Sequence, residues 1–195
     1  MKRLVIGISG ASGVVMGYNL LRILSEMEGV ETHLVMTSGA ERTFAHETGI
    51  AAEQVRAFAD AVYDCADLGA AISSGSFRTD GMIVIPCSMK TVAGIASGFS
   101  DNLLLRAADV CLKEQRKLVL VPREMPLSGI HLRNLKELSG CGAVILPPVL
   151  TFYNGADTVE KQILHILGKI LMQFDIKLPE FRPWTGKGEI PVRNS

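Results

Sequence analysis

Five short, largely apolar runs recur along the chain, separated by segments long enough to form helices. Apolar and polar residues do not alternate within these runs, which is typical of strands buried on both faces. The pattern therefore predicts five parallel strands. They cover Arg3–Ile8, Thr32–Met36, Met82–Pro86, Leu118–Val121 and Ala143–Leu146.

Apolar residues at spacings of three and four predict helices between and after these strands. The last two predicted helices follow residues that can cap a first turn, Asp101 for one and Asp157 or Thr158 for the other. The predicted helices cover Val14–Met27, begin near Gly39, include Leu104–Leu112 and include Ile163–Phe174.

Alternating strands and helices predict an α/β fold, a three-layer parallel sheet of the flavodoxin or Rossmann type with helices on both faces. A chain of 195 residues fits one domain better than two. We expect this domain to cover residues 1–178 and the Pro- and Gly-containing segment 179–195 to form an irregular tail. Ligands of such folds bind beyond the carboxyl ends of the strands.

The composition excludes several classes of partner. Twenty Lys and Arg residues balance twenty Asp and Glu residues, and this zero net charge argues against nucleic acid. Mean hydropathy is high at +0.27, yet no apolar run is long enough to cross a bilayer. We expect no membrane partner, and we expect the apolar surplus to be buried in the core or against other subunits.

Cysteine and histidine usage bears on compartment and metal binding. Neither the four cysteines nor the four histidines have the spacing of a zinc site, and Cys-x-x-Cys does not occur. The first strand meets Gly and Ser too early for the apolar region of a signal peptide. We therefore expect a cytoplasmic protein with no disulfide framework and no metal.

Small residues dominate the turn after the first strand, Gly7-Ile8-Ser9-Gly10-Ala11-Ser12-Gly13. They let a phosphate approach the backbone, the helix start supplies free N–H groups, and Ser9 and Ser12 add hydroxyls. Ser9 replaces the second glycine of the dinucleotide fingerprint, and no acidic residue ends the second strand. The turn favours a mononucleotide over NAD; the alternative is a tight turn that serves packing alone.

A second candidate, Pro86-Cys87-Ser88-Met89-Lys90-Thr91, joins the third predicted strand to a helix. Its hydroxyls, lysine and free amides could hold the edge of a cofactor ring and a phosphate. Cys87 has no histidine near it in sequence, so a buried thiol is a better interpretation than a nucleophile.

Charged residues near two other predicted elements are weaker candidates. Arg123 and Glu124 follow the fourth predicted strand and could bind an anion and move a proton, or form a surface ion pair. Arg106 and Lys113 share one helix face, as a phosphate-binding wall or a solvated surface. The segment 147–153 could form a lid with an aromatic hydroxyl or a stiff loop.

Together and in this order, the motifs resemble those of the UbiX-type flavin prenyltransferases, from Met1 to about Trp184. Each segment alone is weak evidence, whereas the set is specific. The matching segments are GISGASG at 7–13, ETHLVM at 31–36, ISSGSF at 72–77, PCSMKT at 86–91, RAADVCLKE at 106–114, PRE at 122–124, and PPV with FY at 147–153.

The resemblance implies a homo-oligomer, with a dodecamer as the expected size, that binds FMN between subunits and needs no metal. Members of the family transfer a dimethylallyl group from dimethylallyl monophosphate to N5 and C6 of reduced FMN. The product, prenylated FMN, is the cofactor of UbiD-type decarboxylases, so such a decarboxylase is the expected recipient. The sequence leaves open which decarboxylase this is and whether the donor carries one phosphate or two.

The resemblance also assigns roles to residues. The cofactor-binding set is Gly10, Ala11, Ser12, Thr37, Ser88, Met89, Lys90, Thr91 and Arg123. The donor-phosphate set is Arg106, Lys113, Glu124, Tyr153, Lys169 and Trp184, and the catalytic set is Glu124, Lys113, Arg106 and Glu47, with Glu124 as the proton carrier. Thr37 replaces a serine common in the family and keeps the hydroxyl, whereas Lys169 replaces a common arginine and loses its bidentate fork.

Two other functions are alternatives. An FMN-dependent cysteine decarboxylase would share the fold, but its expected histidine near the first helix is absent and its Asn-bearing motif is replaced by PCSMKT. A non-catalytic FMN carrier for a decarboxylase would not need a second phosphate site, so the presence of Lys113, Glu124 and Tyr153 argues against it.

Overall fold

The computed structural model describes residues 1–184 and residue 186. The chain divides into two compact units, Met1–Pro148 and Val149–Ser195. Among the described residues, the first unit contains the sheet and six α-helices, and the second contains one α-helix with the loops that flank it. The predicted boundary at residue 178 stays a prediction.

One sheet organises the first unit. Its described strands are β1 (Lys2–Ile8), β2 (Val30–Met36), β3 (Ala61–Tyr63), β4 (Gly81–Cys87), β5 (Lys117–Pro122) and β6 (Val144–Ile145). All pairings are parallel and the order is β3-β2-β1-β4-β5-β6. This is the order of a doubly wound Rossmann sheet, with its switch point between β1 and β4. The predicted fold class is confirmed.

The five predicted strands are present, and the sequence pattern missed β3. This strand has only three residues, lies at the edge of the sheet and exposes Val62. It therefore lacks the length and the apolar density that mark a buried strand.

Helices of the first unit cover both faces of the sheet. The described α-helices are α1 (Val15–Ser25), α2 (Ser38–Glu47), α3 (Ala52–Arg56), α4 (Met89–Ala96), α5 (Leu103–Lys113), α6 (Gly129–Gly140) and α7 (Val159–Met172). A Cβ atom on Gly7 of β1 would meet Leu104 of α5, whereas the next residue, Ile8, packs against Gly17 of α1. Because successive strand residues point to opposite faces, α1 and α5 lie on opposite sides of the sheet.

The predicted cap of α5 is wrong, and that of α7 is confirmed in one of its two alternatives. Asn102, not Asp101, accepts a hydrogen bond from the N–H of Leu105, at 3.0 Å. Asp101 is one residue too early, and its carboxylate instead accepts from the Asn102 side chain. The hydroxyl of Thr158 caps α7.

The second unit is built on α7. Buried Gln162 accepts a hydrogen bond from the N–H of Thr151 at 2.9 Å and donates to the carbonyls of Thr151 and Ala156 at 2.7 and 2.8 Å. These bonds hold the preceding loop to the helix. Residues 179–184 form neither helix nor strand, and residues 185 and 187–195 of the predicted tail lie outside the described residues.

Candidate active site

A cleft of about 850 Å³ lies at the carboxyl ends of β1, β2, β3 and β4. Three helices begin at its wall, and the capping residue of each lines it: Thr37 for α2, Ser88 for α4 and Asn102 for α5. Helix N-termini carry free N–H groups and partial positive charge, so they favour an anion. The cleft lies at the switch point of the sheet, where such folds bind ligands.

The backbone of the loop after β1, within residues 7–13, lies close to the backbone at the start of α2. A Cβ atom on Gly10 would lie 2.8 Å from the carbonyl carbon of Gly39, closer than such contacts allow. Gly10 must therefore be glycine, whereas a Cβ atom on Gly39 would make only ordinary contacts, at 3.4 Å or more. The backbones of these two glycines form this part of the cleft floor.

Ser9 lines the cleft, but its hydroxyl donates within the protein, contrary to the expectation that it would donate to a phosphate. Its side chain is almost fully buried, donates to the carbonyl of Pro86 at 3.0 Å and accepts from the N–H of Ser88 at 2.7 Å. The hydroxyl thus joins the loop after β1 to the loop after β4.

The structure brings together about half of the predicted cofactor residues. Gly10, Thr37, Ser88, Lys90 and Thr91 all line the cleft.

The remaining cofactor residues lie elsewhere in the single chain. Ala11 and Ser12 do not line the cleft, and Met89 is packed into the hydrophobic core. Arg123 is exposed just after β5, where its N–H donates to the carbonyl of Cys87 at 3.1 Å. Cys87 is fully buried, and burial raises the pKa of its thiol, so the interpretation as a buried thiol is confirmed.

Sequence reasoning missed two arginines of the cleft. Arg42 and Arg56 of the α2–α3 region line it; Arg56 pairs with Glu41 and Glu53. Within the described ranges, the structure gives neither Arg42 nor Lys90 an ion pair. Arg42 follows the cap of α2 by one turn, and this spacing after a strand end is the signal that could have identified it.

The two cations of α5 already have partners. Arg106 donates through Nε to the carbonyl of Ser73 at 3.1 Å and through Nη1 to Asp109 at 2.7 Å. Lys113 pairs with its neighbour Glu114, and the lysine lowers the pKa of that carboxyl. These residues lie beside the segment 73–75, where a Cβ atom on Gly75 would be 2.9 Å from Nζ of Lys113.

The two predicted catalytic carboxylates have different surroundings. Glu47, at the end of α2, accepts a hydrogen bond from the N–H of Gly13 at 2.8 Å. It therefore contacts the loop after β1 directly. Glu124 is exposed, and its carboxylate accepts from the N–H of Met125 at 3.0 Å. Neither carboxylate lines the cleft of this chain.

The donor residues of the second unit form part of an aromatic cluster. Tyr153 meets Trp184 edge-on, with ring centroids 5.3 Å apart, and meets His165 edge-on at 5.9 Å. Phe181 also packs against His165, with ring centroids 5.1 Å apart. Tyr153 and Trp184 are predicted site residues, whereas His165 and Phe181 are not. Lys169 is exposed one turn after His165 on α7.

The described residues form neither a metal-binding cluster nor a membrane-spanning helix. In the part of the chain that is described, no three His, Cys, Asp or Glu side chains lie close enough together to hold a metal ion. None of the described helices has the length and apolarity to span a bilayer.

The chain matches known proteins over nearly its whole length. A model of the flavoprotein family matches residues 1–172. The probable UbiX-like flavin prenyltransferase of Sedimentibacter hydroxybenzoicus is 61% identical over 184 residues, which cover 94% of this chain and 97% of that protein.

Solved structures agree. The dodecameric FMN-dependent UbiX-like decarboxylase of Escherichia coli O157:H7 has a TM-score of 0.92 at 54% identity, covering 94% of this chain and 100% of that one. AnUbiX in complex with FMN and dimethylallyl pyrophosphate has a TM-score of 0.92 at 51% identity, covering 95% and 98%. The cysteine decarboxylase TvaF, at 20% identity and a TM-score of 0.63, shares the fold alone. The chain therefore belongs to the flavoprotein family, and within it to the UbiX-like flavin prenyltransferases, which confirms the resemblance that the motifs indicated.

Proposed function

We propose that this protein is a flavin prenyltransferase that joins a dimethylallyl group from dimethylallyl monophosphate to N5 and C6 of reduced FMN. The observation that carries the proposal is the cleft at the β1–β4 switch point, where three helix N-termini meet a bare-backbone turn. Prenylated FMN then passes to a UbiD-type decarboxylase in the cytoplasm.

The cleft suits FMN in size and in chemistry. Its volume of about 850 Å³ lies within the range of small-molecule sites. Thr37 and Ser88 supply hydroxyls beside free helix amides, and Arg42 and Lys90 supply positive charge for the phosphate. When bound, reduced FMN supplies the electron-rich ring that receives the allyl carbon.

The donor phosphate is held by cations and a hydroxyl. Arg106, Lys113, Tyr153 and Lys169 stabilise the negative charge that develops as phosphate leaves. Asp109 and Glu114 hold Arg106 and Lys113 in the free chain, so the phosphate replaces these carboxylates as their partner.

Three further residues complete the proposed reaction. Glu124 carries the proton, either from C6 of the flavin or to the leaving phosphate. Glu47 holds the loop after β1 through its hydrogen bond from Gly13 and so positions the cofactor. Trp184, packed on Tyr153, excludes water that would quench the allylic cation.

Assembly of a homo-oligomer completes the site in this proposal, with the dodecamer of the E. coli O157:H7 protein as the expected size. Arg123 and Glu124 are exposed in the single chain, and large exposed apolar side chains follow them closely. Such surfaces mark contacts between proteins. The apolar residues are Met125, Leu127, Ile130 and Leu132. The subunit itself is proposed as one domain over residues 1–178, with 179–195 as its tail.

The test is anaerobic incubation of the protein with reduced FMN and dimethylallyl monophosphate, followed by mass spectrometry of the released flavin. A gain of one dimethylallyl unit supports the proposal. An unchanged flavin, with FMN and donor both shown to bind, overturns it. Release of CO2 from a cysteine-terminated peptide in a parallel reaction would instead support a cysteine decarboxylase.

The role of Glu124 has its own control. In a single turnover, Glu124→Gln should bind both substrates and stop before ring closure, whereas Glu28→Gln, which removes an exposed carboxylate elsewhere, should react like the parent protein. Full ring closure by Glu124→Gln would show that another group moves the proton.

A further inference from the structure

His165 is a buried histidine with no role in the reaction described above. It lies in the middle of α7 and is only 7% exposed. The ring contacts both Tyr153 and Phe181, and Tyr153 packs in turn on Trp184. His165 thus contacts the ring of Tyr153 directly from α7, in addition to the bonds by which Gln162 holds the loop.

Neither nitrogen of this imidazole has a hydrogen-bond partner among the described residues. No fully enclosed side-chain nitrogen or oxygen in that part of the chain lacks a partner, so the imidazole nitrogens must retain access to a space. That space is a cavity of about 280 Å³ that His165 lines within the second unit. The ring can therefore gain or lose a proton without unfolding of the helix.

The charges around the imidazole set its protonation state. Lys161 is paired with Asp157, whereas Lys169, one turn along α7, has no ion pair in the described ranges. Burial first, and the charge of Lys169 second, lower the pKa of His165, so its ring is neutral at neutral pH. The titratable or charged groups around it are Lys161 and Lys169 on α7, Tyr153 and Asp157 before the helix, and Glu180 and Arg182 after it.

We propose that His165 is a positioning residue for the prenyl donor, which fixes the ring of Tyr153 and takes up a proton when the donor phosphate binds. The proposal rests on the proposed function, because Tyr153 and Lys169 are donor-phosphate residues there. A phosphate beside Lys169 offsets the charge that repels a proton from the imidazole. Proton affinity therefore rises on donor binding, and by reciprocity a protonated His165 strengthens donor binding.

The experiment measures kcat and donor KM at saturating reduced FMN, near pH 6 and near pH 8, on either side of the ordinary histidine range. His165→Ala should raise donor KM about tenfold with kcat nearly unchanged, because it removes ring contacts of the strength found in aromatic pairs. His165→Phe keeps a ring but cannot titrate. It should match the parent protein near pH 8 and show a severalfold higher donor KM near pH 6.

The matched control is His131→Gln, because glutamine can keep the capping box of α6 while removing a histidine. Its ratio of donor KM at the two pH values should equal that of the parent. Titration of the donor phosphate itself affects all variants alike, so it cancels in this comparison. FMN affinity should be unchanged in every variant.

Two results would overturn the inference while leaving the proposed function intact. One is a His165→Phe variant whose donor KM follows that of the parent at both pH values. The other is a His165→Ala variant that lowers kcat without raising donor KM. If the parent protein forms no prenylated flavin, the proposed function fails instead, and direct titration with dimethylallyl monophosphate still reports whether His165 affects binding.

Discussion

The cofactor cleft and the donor residues are built in different ways. The cleft consists of backbone and short capping side chains, with Gly10 against Gly39 and Ser88 hydrogen-bonded to its own helix. The donor residues are long side chains, and those of α5 already have partners, as Arg106 has in Asp109.

The two regions therefore differ in the free-energy cost of ordering side chains when a ligand binds. Backbone amides at helix starts are fixed before a ligand arrives, so FMN binding orders few side chains. A donor phosphate must displace partly exposed ion pairs, which contribute little to stability, and must order long side chains at up to about 2 kcal/mol each. Changes in the cleft should therefore affect cofactor affinity and stability together, whereas changes at the donor residues should affect donor kinetics alone.

The largest effect, a loss of FMN affinity, is expected on substitution of Gly10. Gly10→Val places a branched side chain against the backbone of Gly39, which cannot move aside as a flexible side chain can. FMN affinity, measured by quenching of flavin fluorescence, should fall at least about 100-fold, because the turn and α2 are forced apart. Gly49→Ala is the control, since a Cβ atom there meets nothing within 4 Å. Unchanged FMN binding by Gly10→Val would disprove a backbone-built floor.

The second largest effect is expected at Lys113, one of the donor-phosphate residues. Lys113→Met should lower kcat/KM for the donor about 100-fold, the usual loss when one group that stabilises transition-state charge is removed. FMN affinity should stay within about twofold, and Lys177→Met, at an exposed lysine in another part of the chain, should change neither quantity. An equal loss of FMN affinity in Lys113→Met would mean that the two regions are not separate.

The third test compares two helix caps. Ser88→Ala and Thr158→Ala each remove a hydroxyl that accepts a first-turn N–H and should each cost about 1 kcal/mol, or about 2–4 °C in Tm for a chain of this size. Only Ser88 lines the cleft, so only its loss should also weaken FMN binding, by about tenfold. Equal FMN affinity in the two variants would remove Ser88 from the cofactor site.

The smallest effect is expected at Lys169. Lys169→Arg introduces a planar fork that can bind phosphate with two hydrogen bonds, so donor KM should fall about threefold while kcat and FMN affinity stay constant. Steady-state kinetics with the donor as the varied substrate measure this. A higher KM would show that a single point charge suits the site better than a fork.

The fold was predictable where burial leaves a dense apolar signal. Five of the six described strands lie in runs with that signal, whereas β3 lacks it and exposes Val62 at the edge of the sheet. Helix α6 also escaped prediction, because Leu138 is its only residue classed as buried and the rest of the helix is largely polar or exposed. The cap of α5 was misplaced by one residue because Asp101 and Asn102 are both good caps, and only the helix frame chooses between them.

Residues of the candidate site were predictable where they lie together in one short sequence motif. Gly10 and Ser88 sit in motifs whose residue types indicate their role. The hydrogen bond from Gly13 to Glu47 spans 34 positions, and the bond from Ser88 to Ser9 spans 79. No local pattern encodes such distances. Arg42 was missed because a single arginine on a helix usually belongs to a solvated face.

The hydrogen bonds of the Ser9 hydroxyl limit how the two loops of the cleft can be exchanged. One buried hydroxyl ties the loop after β1 to the loop after β4 through bonds to Pro86 and Ser88. A replacement of the first loop that lacks Ser9 would leave the N–H of Ser88 without its partner, and a second loop with a different backbone conformation would leave the Ser9 hydroxyl without its own. Segments 7–13 and 86–91 therefore form one transplantable unit, and libraries that alter the cofactor preference of this scaffold should vary the two segments together.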